Sequence, residues 1–370
     1  MDNDYLTWFK DLDAKLARRR RAHSLIASNV VEPLKMLEQD IKANWNELLK
    51  LQRHNNDWGH PVLKERIARK YGCRPENILL TNGCSNANFL AITSLVGPGD
   101  SVICEQPGYQ PLWQVAQSAG GLVKWLARRP PHYDVDPDEL SRLIDRRTRL
   151  VILTNLHNPS GAALDRKQLG EIAGRVRRKN KRCRILVDEV FGDFDPGHRP
   201  AAVLDPLYIT TGSLSKAYGL SHLKCGWILA DSRTIEQLRP RFVLAEGNGS
   251  RYLESLSALI FARLEKYRCR AKELVAQNRR KLSLAVEPLL HQGLVEGMIP
   301  KHGCIWFPAL KGVRNADRFC AQAAAGFDVQ VVPGRFFGDA SRFRVGFGGD
   351  PKGFSSSAAR LAQAIRRYLE

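Results

Sequence analysis

Between residues 78 and 230 the chain alternates short, strongly apolar runs with amphipathic helical patterns. This alternation restricts the fold more than any other feature. The runs at 78–81, 101–105, 123–126, 150–154, 184–190, 207–211 and 225–230 have strand length and are rich in Val, Ile and Leu. Stretches 86–96, 112–118, 137–145 and 164–179 carry the helical period, with Asp136 and Asp165 placed as N-caps. Runs this apolar are buried on both faces, which predicts a mostly parallel sheet between two helical layers. After Asp231 the texture changes. Helical pattern fills 253–287, short strands follow at 304–307, 329–332 and 342–347, and a helix closes the chain at 355–369. The expected architecture is therefore α/β: a three-layer large domain over 46–240, and a smaller α+β domain from 1–45 and 241–370.

Composition narrows the function classes. At 370 residues, two domains are expected. No run of about eighteen apolar residues exists, so no membrane helix is expected, and the first ten residues do not resemble a secretory leader. The eight cysteines are scattered without CxxC spacing, which predicts no metal site and no disulfide framework and fits a reducing, cytoplasmic setting. The net charge of +19 gathers partly in Arg18–Arg21, 175–184 and Arg279-Arg280-Lys281. Solvated helix faces account for such runs, and nucleic acid is not the expected partner.

Five stretches carry chemistry. In Ser213-Leu214-Ser215-Lys216 a lysine follows a buried strand among small residues. Such a lysine, partly desolvated, is a nucleophile toward carbonyls. Ser213 and Ser215 suit a phosphate, and Lys224 sits after a glycine-bearing turn where it can add a cation. A phosphate cradle with a carbonyl-reactive lysine suggests pyridoxal phosphate; the competing reading is a lysine that merely caps a strand. Asp188 follows three buried aliphatics, where a carboxylate is costly unless a cation pairs with it. A protonated pyridine nitrogen is such a cation; a helix-capping Asp is the competing reading. Glu189 is expected to face outward or to form a structural pair. Asn158, in His157-Asn158-Pro159-Ser160-Gly161, ends another buried strand and can donate to a ring oxygen, with His157 as a structural neighbour. Gly83-Cys84-Ser85 opens a helix whose amides can hold phosphate. Tyr109 is placed to lie on a ring or to fill the core. Finally, alternation puts Arg342 and Arg344 on one face of a strand, where an inward arginine can grip a carboxylate.

Taken in order, these motifs resemble the fold-type I pyridoxal phosphate enzymes, specifically the class I/II aminotransferase family, from about residue 29 to the C-terminus. The resemblance rests on Gly83-Cys84-Ser85, Pro107-Gly108-Tyr109, Asn158-Pro159-Ser160-Gly161, Asp188-Glu189-Val190, Ser213-Leu214-Ser215-Lys216 and the Pro-Gly-x-x-Phe-Gly…Arg-Val-Gly-Phe ending. It implies that Lys216 forms the Schiff base and shuttles the Cα proton, while Asp188 pairs with the ring nitrogen. It also implies that Asn158 bonds the phenolic oxygen and that Tyr109 stacks on the ring. Gly83, Cys84, Ser85, Ser213, Ser215 and Lys224 would surround the phosphate. Arg344, helped by backbone near Asn29, would take the α-carboxylate. A homodimer with sites at the subunit interface is implied as well.

The sequence departs from the family pattern at three places. Phe191 stands where a tyrosine hydroxyl is expected beside the phenolic oxygen. Lys224 replaces an arginine, giving a point charge in place of a fork. His54 lies nearest the position where the family offers a tyrosine to the partner's phosphate. The expected activity is transfer of an amino group from an α-amino acid to a 2-oxo acid. The alternative is elimination or cyclisation, since the ending and the His157–Gly161 motif resemble the capreomycidine synthase type. A non-catalytic, pyridoxal-phosphate-binding regulator is a third reading. The roughly 45 residues before the motif region leave little room for an added DNA-binding domain.

Overall fold

The structure, a computed structural model, describes residues 4–17, 23–55 and 57–370. Seven strands form the central sheet: β1 (Ile78–Asn82), β2 (Ser101–Gln106), β3 (Leu122–Ala127), β4 (Thr148–Thr154), β5 (Arg184–Asp188), β6 (Tyr208–Ser213) and β7 (Cys225–Leu229). Their spatial order is β1-β7-β6-β5-β4-β2-β3. All pairs are parallel except those of β7, which runs antiparallel to both β1 and β6. The continuous apolar runs follow from two-sided burial. Leu150, Ile152 and Leu186 enter one apolar cluster, while Val151, Leu153, Ile185 and Val187 enter another on the opposite face. All seven expected strands are present, shifted by one to two residues at most ends. Asp136 caps its helix by accepting from the amides of Asp138 and Glu139, and Asp165 closes a capping box with Gln168.

Four further helices position the rest: α1 (Tyr5–Ala17), α2 (Cys84–Leu95), α3 (Leu264–His291) and α4 (Pro351–Leu369). In the smaller unit, Ile305–Trp306, Phe343–Gly346 and Val332–Pro333 form an antiparallel sheet, and His23–Ser24 pairs in parallel with Val329–Gln330. Its core joins Leu25, Val30, Trp306, Phe319, Phe343 and Leu361.

One apolar cluster takes residues from both sides of 45 and of 240. Helices Leu34–Ala43 and Trp45–Leu51 lay Met36, Leu37, Leu48 and Leu51 on the cluster that includes Leu80 and Trp227. Helix Arg251–Phe261 packs on the same cluster. The transition occurs within α3, whose Leu264 and Tyr267 belong to that cluster while Ala271, Leu274 and Val275 belong to the small-unit core.

The basic runs are largely solvated. Arg178, Lys179, Lys181 and Arg182 are exposed, Arg175 pairs with Asp138, and Arg177 pairs with Asp205. Arg18–Arg21 lies outside the described residues. Among the described residues no helix is long and apolar enough to cross a membrane, and no group of three His, Cys, Asp or Glu is placed to hold a metal.

Candidate active site

A cavity of about 290 Å³ opens at the carboxyl ends of β1, β4, β5 and β6, where open α/β sheets bind ligands. Strand register builds it. Thr154 lies opposite Asp188, Asp188 opposite Thr211, and Ser213 opposite Gly226, so one row of polar side chains crosses three strands. Because β7 is reversed, its first residue, Cys225, meets Asn82 on the same edge, and this brings the preceding Lys224 to the rim. Of the residues expected at the site, Gly83, Cys84, Ser85, Tyr109, Asn158, Asp188, Phe191, Ser215, Lys216 and Lys224 line this one cavity.

Asp188 is buried at 4% exposure, and no ion pair joins it to a described residue. Its Oδ2 accepts from Asn88 Nδ2 at 2.7 Å, and its Oδ1 accepts from the Val190 amide at 3.0 Å and the Cys84 thiol at 3.5 Å. Burial raises its carboxyl from the ordinary range, and these donors pull it back toward the ionised form. Lys216, partly buried, donates to Ser28 Oγ at 3.1 Å. Desolvation, with the nearby Arg344 charge, lowers its amine from the usual lysine value. The cavity thus holds a carboxylate without a cation and an amine without a carboxylate.

The opposite end is built for an anion. Helix α2 has twelve residues, and its first intrahelical bond runs from the Ala87 amide to the Gly83 carbonyl. The amides of Cys84 and Ser85 therefore have no helical acceptor. Gly83 has φ +86°, and a Cβ on Gly226 would stand 2.4 Å from the Gly83 carbonyl carbon, so the turn sits directly on β7. Ser213 Oγ and Ser215 Oγ share a hydrogen bond of 2.6 Å, and Lys224, at φ +48°, is exposed at the rim. Pyridoxal phosphate fits this donor set. A phosphate meets amides, hydroxyls and a lysine; a ring nitrogen meets an unpaired buried carboxylate; an aldehyde meets a desolvated amine.

Arg344 and Asn29 stand back from the cavity. The Arg344 side chain is fully buried, donating through Nη1 to Asn158 Oδ1 at 3.0 Å and through Nη2 to Tyr5 Oη at 2.9 Å and Ile26 O at 3.1 Å. Tyr5, the first residue of α1, covers it and lines the cavity in its place. Beside Asn29, the Val30 amide donates to the Lys216 carbonyl, so the backbone near Asn29 does reach the lysine. Arg342 is buried and pairs with Asp339 at 3.4 Å. Glu189 takes the second of its two expected places, a buried pair with His198 Nε2 at 3.3 Å. His54 is exposed and is not among the residues that line the cavity.

Below the floor lies a buried polar chain. Glu105 Oε2 pairs with Arg128 at 2.6 Å, and Glu105 Oε1 accepts from Thr154 Oγ1 at 2.5 Å. Thr154 Oγ1 in turn accepts the Asn158 amide at 2.9 Å. His157 bridges Ser160 Oγ at 2.7 Å and the Pro107 carbonyl at 2.8 Å. Burial, with the Arg128 charge, pushes His157 well below the ordinary value. Neutral, it has one ring N–H; the carbonyl can only accept, so Nε2 carries the proton. Its role is structural.

Asn88, Thr211, Ser28, Thr154 and Tyr5 complete the constellation and were not expected from the sequence. Asn88 alone left a readable signal: it lies four residues after Cys84 on an otherwise apolar helix face with Ala91 and Ile92.

Residues 45–361 match the family model described as "Aminotransferase class I and II". The chain is 32% identical over 303 residues to capreomycidine synthase of Streptomyces vinaceus, covering 78% of this chain and 75% of that protein. It is 25% identical over 321 residues to an aspartate aminotransferase of Pyrococcus horikoshii, with 84% and 80% coverage. Its fold superimposes on a PLP-dependent aminotransferase of Streptococcus suis with TM-score 0.87 at 25% identity, covering 100% of this chain and 99% of that one.

Proposed function

The chain belongs to the class I and II aminotransferases, and from that footing we propose that it moves the amino group of an α-amino acid to a 2-oxo acid, with Lys216 as the proton carrier. Its cofactor is pyridoxal 5′-phosphate. The observation that carries the reading is the pairing, in one cavity, of the unpaired carboxylate of Asp188 with the desolvated amine of Lys216.

When bound, the cofactor supplies an aldehyde for amines and a ring that withdraws electrons from Cα. Asp188 would keep a proton on the ring nitrogen, Asn158 would meet the phenolic oxygen, and Tyr109 would pack against the ring. Gly83, Cys84, Ser85, Ser213, Ser215 and Lys224 would hold the phosphate. Lys216 Nζ, more readily neutral than an exposed lysine, takes the Cα proton and returns it. Arg344 receives the substrate carboxylate once Tyr5 yields its bond. Exposed Val243 and Leu244 precede Glu246, which accepts from Asn82 at the rim, and they offer a face for a homodimer. The eight free thiols fit a cytoplasmic setting.

A second reading is favoured by the likeness to capreomycidine synthase and by buried Phe191, which offers no hydroxyl in this cavity. In it the same proton abstraction leads to elimination and ring closure. Incubation of the cofactor-loaded enzyme with a panel of amino acids, with and without 2-oxo acid, separates the two. Transfer requires the acceptor and yields a new amino acid in equal amount. Turnover that ignores the acceptor supports elimination or cyclisation and overturns transfer.

A further inference from the structure

Asp188 is held by more than its own strand. Asn88 comes from the second turn of α2 and Thr211 from β6, where it is the register partner of Asp188. All three are buried. Asn88 Nδ2 donates to Asp188 Oδ2 at 2.7 Å, and Thr211 Oγ1 donates to Asn88 Oδ1 at 2.6 Å. With Asp188 ionised, the direction of this chain is fixed. A carboxylate only accepts, so the amide must turn its nitrogen to Asp188. The exposed lone pairs of Oδ1 then require a donor, and the Thr211 hydroxyl supplies it.

We propose that Asn88 and Thr211 are a positioning relay that fixes the Asp188 carboxylate, ionised and aimed into the cavity, before the cofactor arrives. The inference rests on Asp188 as the partner of the ring nitrogen. A buried carboxylate without a cation has two escapes: it can take a proton, or it can turn toward another donor. Asn88 opposes both, because its N–H binds the charged form more strongly than the neutral one and meets Oδ2 at one place. Thr211 stops the amide from flipping, since a flipped amide would set its oxygen against the carboxylate. Thr211 stands back from the cavity and Asn88 borders it; in this scheme both act through Asp188.

The other titratable groups facing Asp188 are the Cys84 thiol of α2, the Tyr109 phenol and the Lys216 amine. Burial raises both the thiol and the phenol, so they stay neutral across the working range. The difference in pH response between a variant and wild type therefore reports Asp188 against Lys216, because the cofactor's own groups are common to both.

The test is the dissociation constant for pyridoxal phosphate, followed by visible absorbance from pH 6 to 9 (roughly the span over which lysine-linked binding is measurable). Wild type, Asn88→Leu, Thr211→Val, Thr211→Ser and the Asn88→Leu/Thr211→Val double variant are compared, with circular dichroism as the check on folding. Loss of a hydrogen bond to a charged group predicts roughly ten- to hundredfold weaker binding for Asn88→Leu. Without that donor Asp188 protonates more readily, so affinity falls off at a higher pH than in wild type as pH is lowered. Thr211→Val weakens binding in the same direction by less, and Thr211→Ser lies nearer wild type because it keeps the hydroxyl. The double variant matches Asn88→Leu, since Thr211 works through Asn88. Binding by Asn88→Leu within twofold of wild type, or additive losses in the double variant, overturns the relay. If Asn88→Leu fails to fold, Thr211→Val decides alone: affinity and pH profile equal to wild type overturn the proposal. A wild-type protein that binds no pyridoxal phosphate sinks the underlying reading of Asp188 instead, and is distinguishable from these results.

Discussion

Tyr5 tests where the substrate carboxylate goes. In the structure the Tyr5 hydroxyl holds Arg344 Nη2 at 2.9 Å, and the Tyr5 ring packs against Tyr109, Phe336 and Phe337. A carboxylate that binds Arg344 must first break the hydroxyl bond and shift the ring. Tyr5→Phe removes the first cost and leaves the second unchanged, because the ring contacts are common to both proteins. A hydrogen bond to a charged group contributes about 1.5–3 kcal/mol. The lower end applies, since Nη2 keeps its Ile26 carbonyl and a displaced hydroxyl finds water. About 1.5 kcal/mol is a factor of about ten in affinity. Tyr5→Phe should therefore bind amino-acid carboxylates roughly tenfold more tightly. The assay is a titration of the cofactor-loaded protein with a panel of amino acids, read by the change in visible absorbance. Weaker binding in the variant would show that the hydroxyl contacts the substrate directly. Unchanged binding would show that Arg344 is not the carboxylate site. Either result refutes the exchange.

The buried pair below the floor should respond asymmetrically. Glu105→Gln leaves a buried arginine that cannot lose its proton, costing about 3–5 kcal/mol in denaturant unfolding. Arg128→Met should cost less near pH 6, because Glu105, already raised by burial, takes a proton. Without Arg128 the carboxyl rises further, so that cost should grow by about 1.4 kcal/mol per pH unit between the wild-type value of about 7 and the variant's higher value, and level off above it; equal, pH-independent costs would contradict this. Gly226→Ala should lose about 1–3 kcal/mol of stability and weaken cofactor binding, because its Cβ meets backbone rather than a movable side chain. Lys216 should capture pyridoxal phosphate fully at a lower pH than a free lysine amine does. Its lowered value leaves more neutral amine at any pH below the ordinary lysine range. The rate of capture against pH measures it.

The central sheet was legible because its strands are buried on both faces, and two-sided burial writes itself as unbroken Val, Ile and Leu. Helix Ser232–Glu246 was not; Pro240 interrupts its pattern, and its apolar face is thin. Helix α3 runs unbroken through two apolar clusters, and a helix that changes neighbours within its first turns shows one continuous period. At the site, residues next to strand ends were readable, since a charge after three aliphatics is conspicuous in one dimension. Thr211 was hidden inside an apolar strand, whereas Asn88 stood as a lone polar position on an apolar helix face. Tyr5 meets Arg344 across a separation of 339 residues, which no local pattern encodes.

Reduction of the cofactor-loaded protein with borohydride, followed by mass mapping of its peptides, tests the central assignment most directly. The account predicts one phosphopyridoxyl group per chain, carried on Lys216. An unlabelled Lys216 peptide, or a label fixed reproducibly on another lysine, would contradict it.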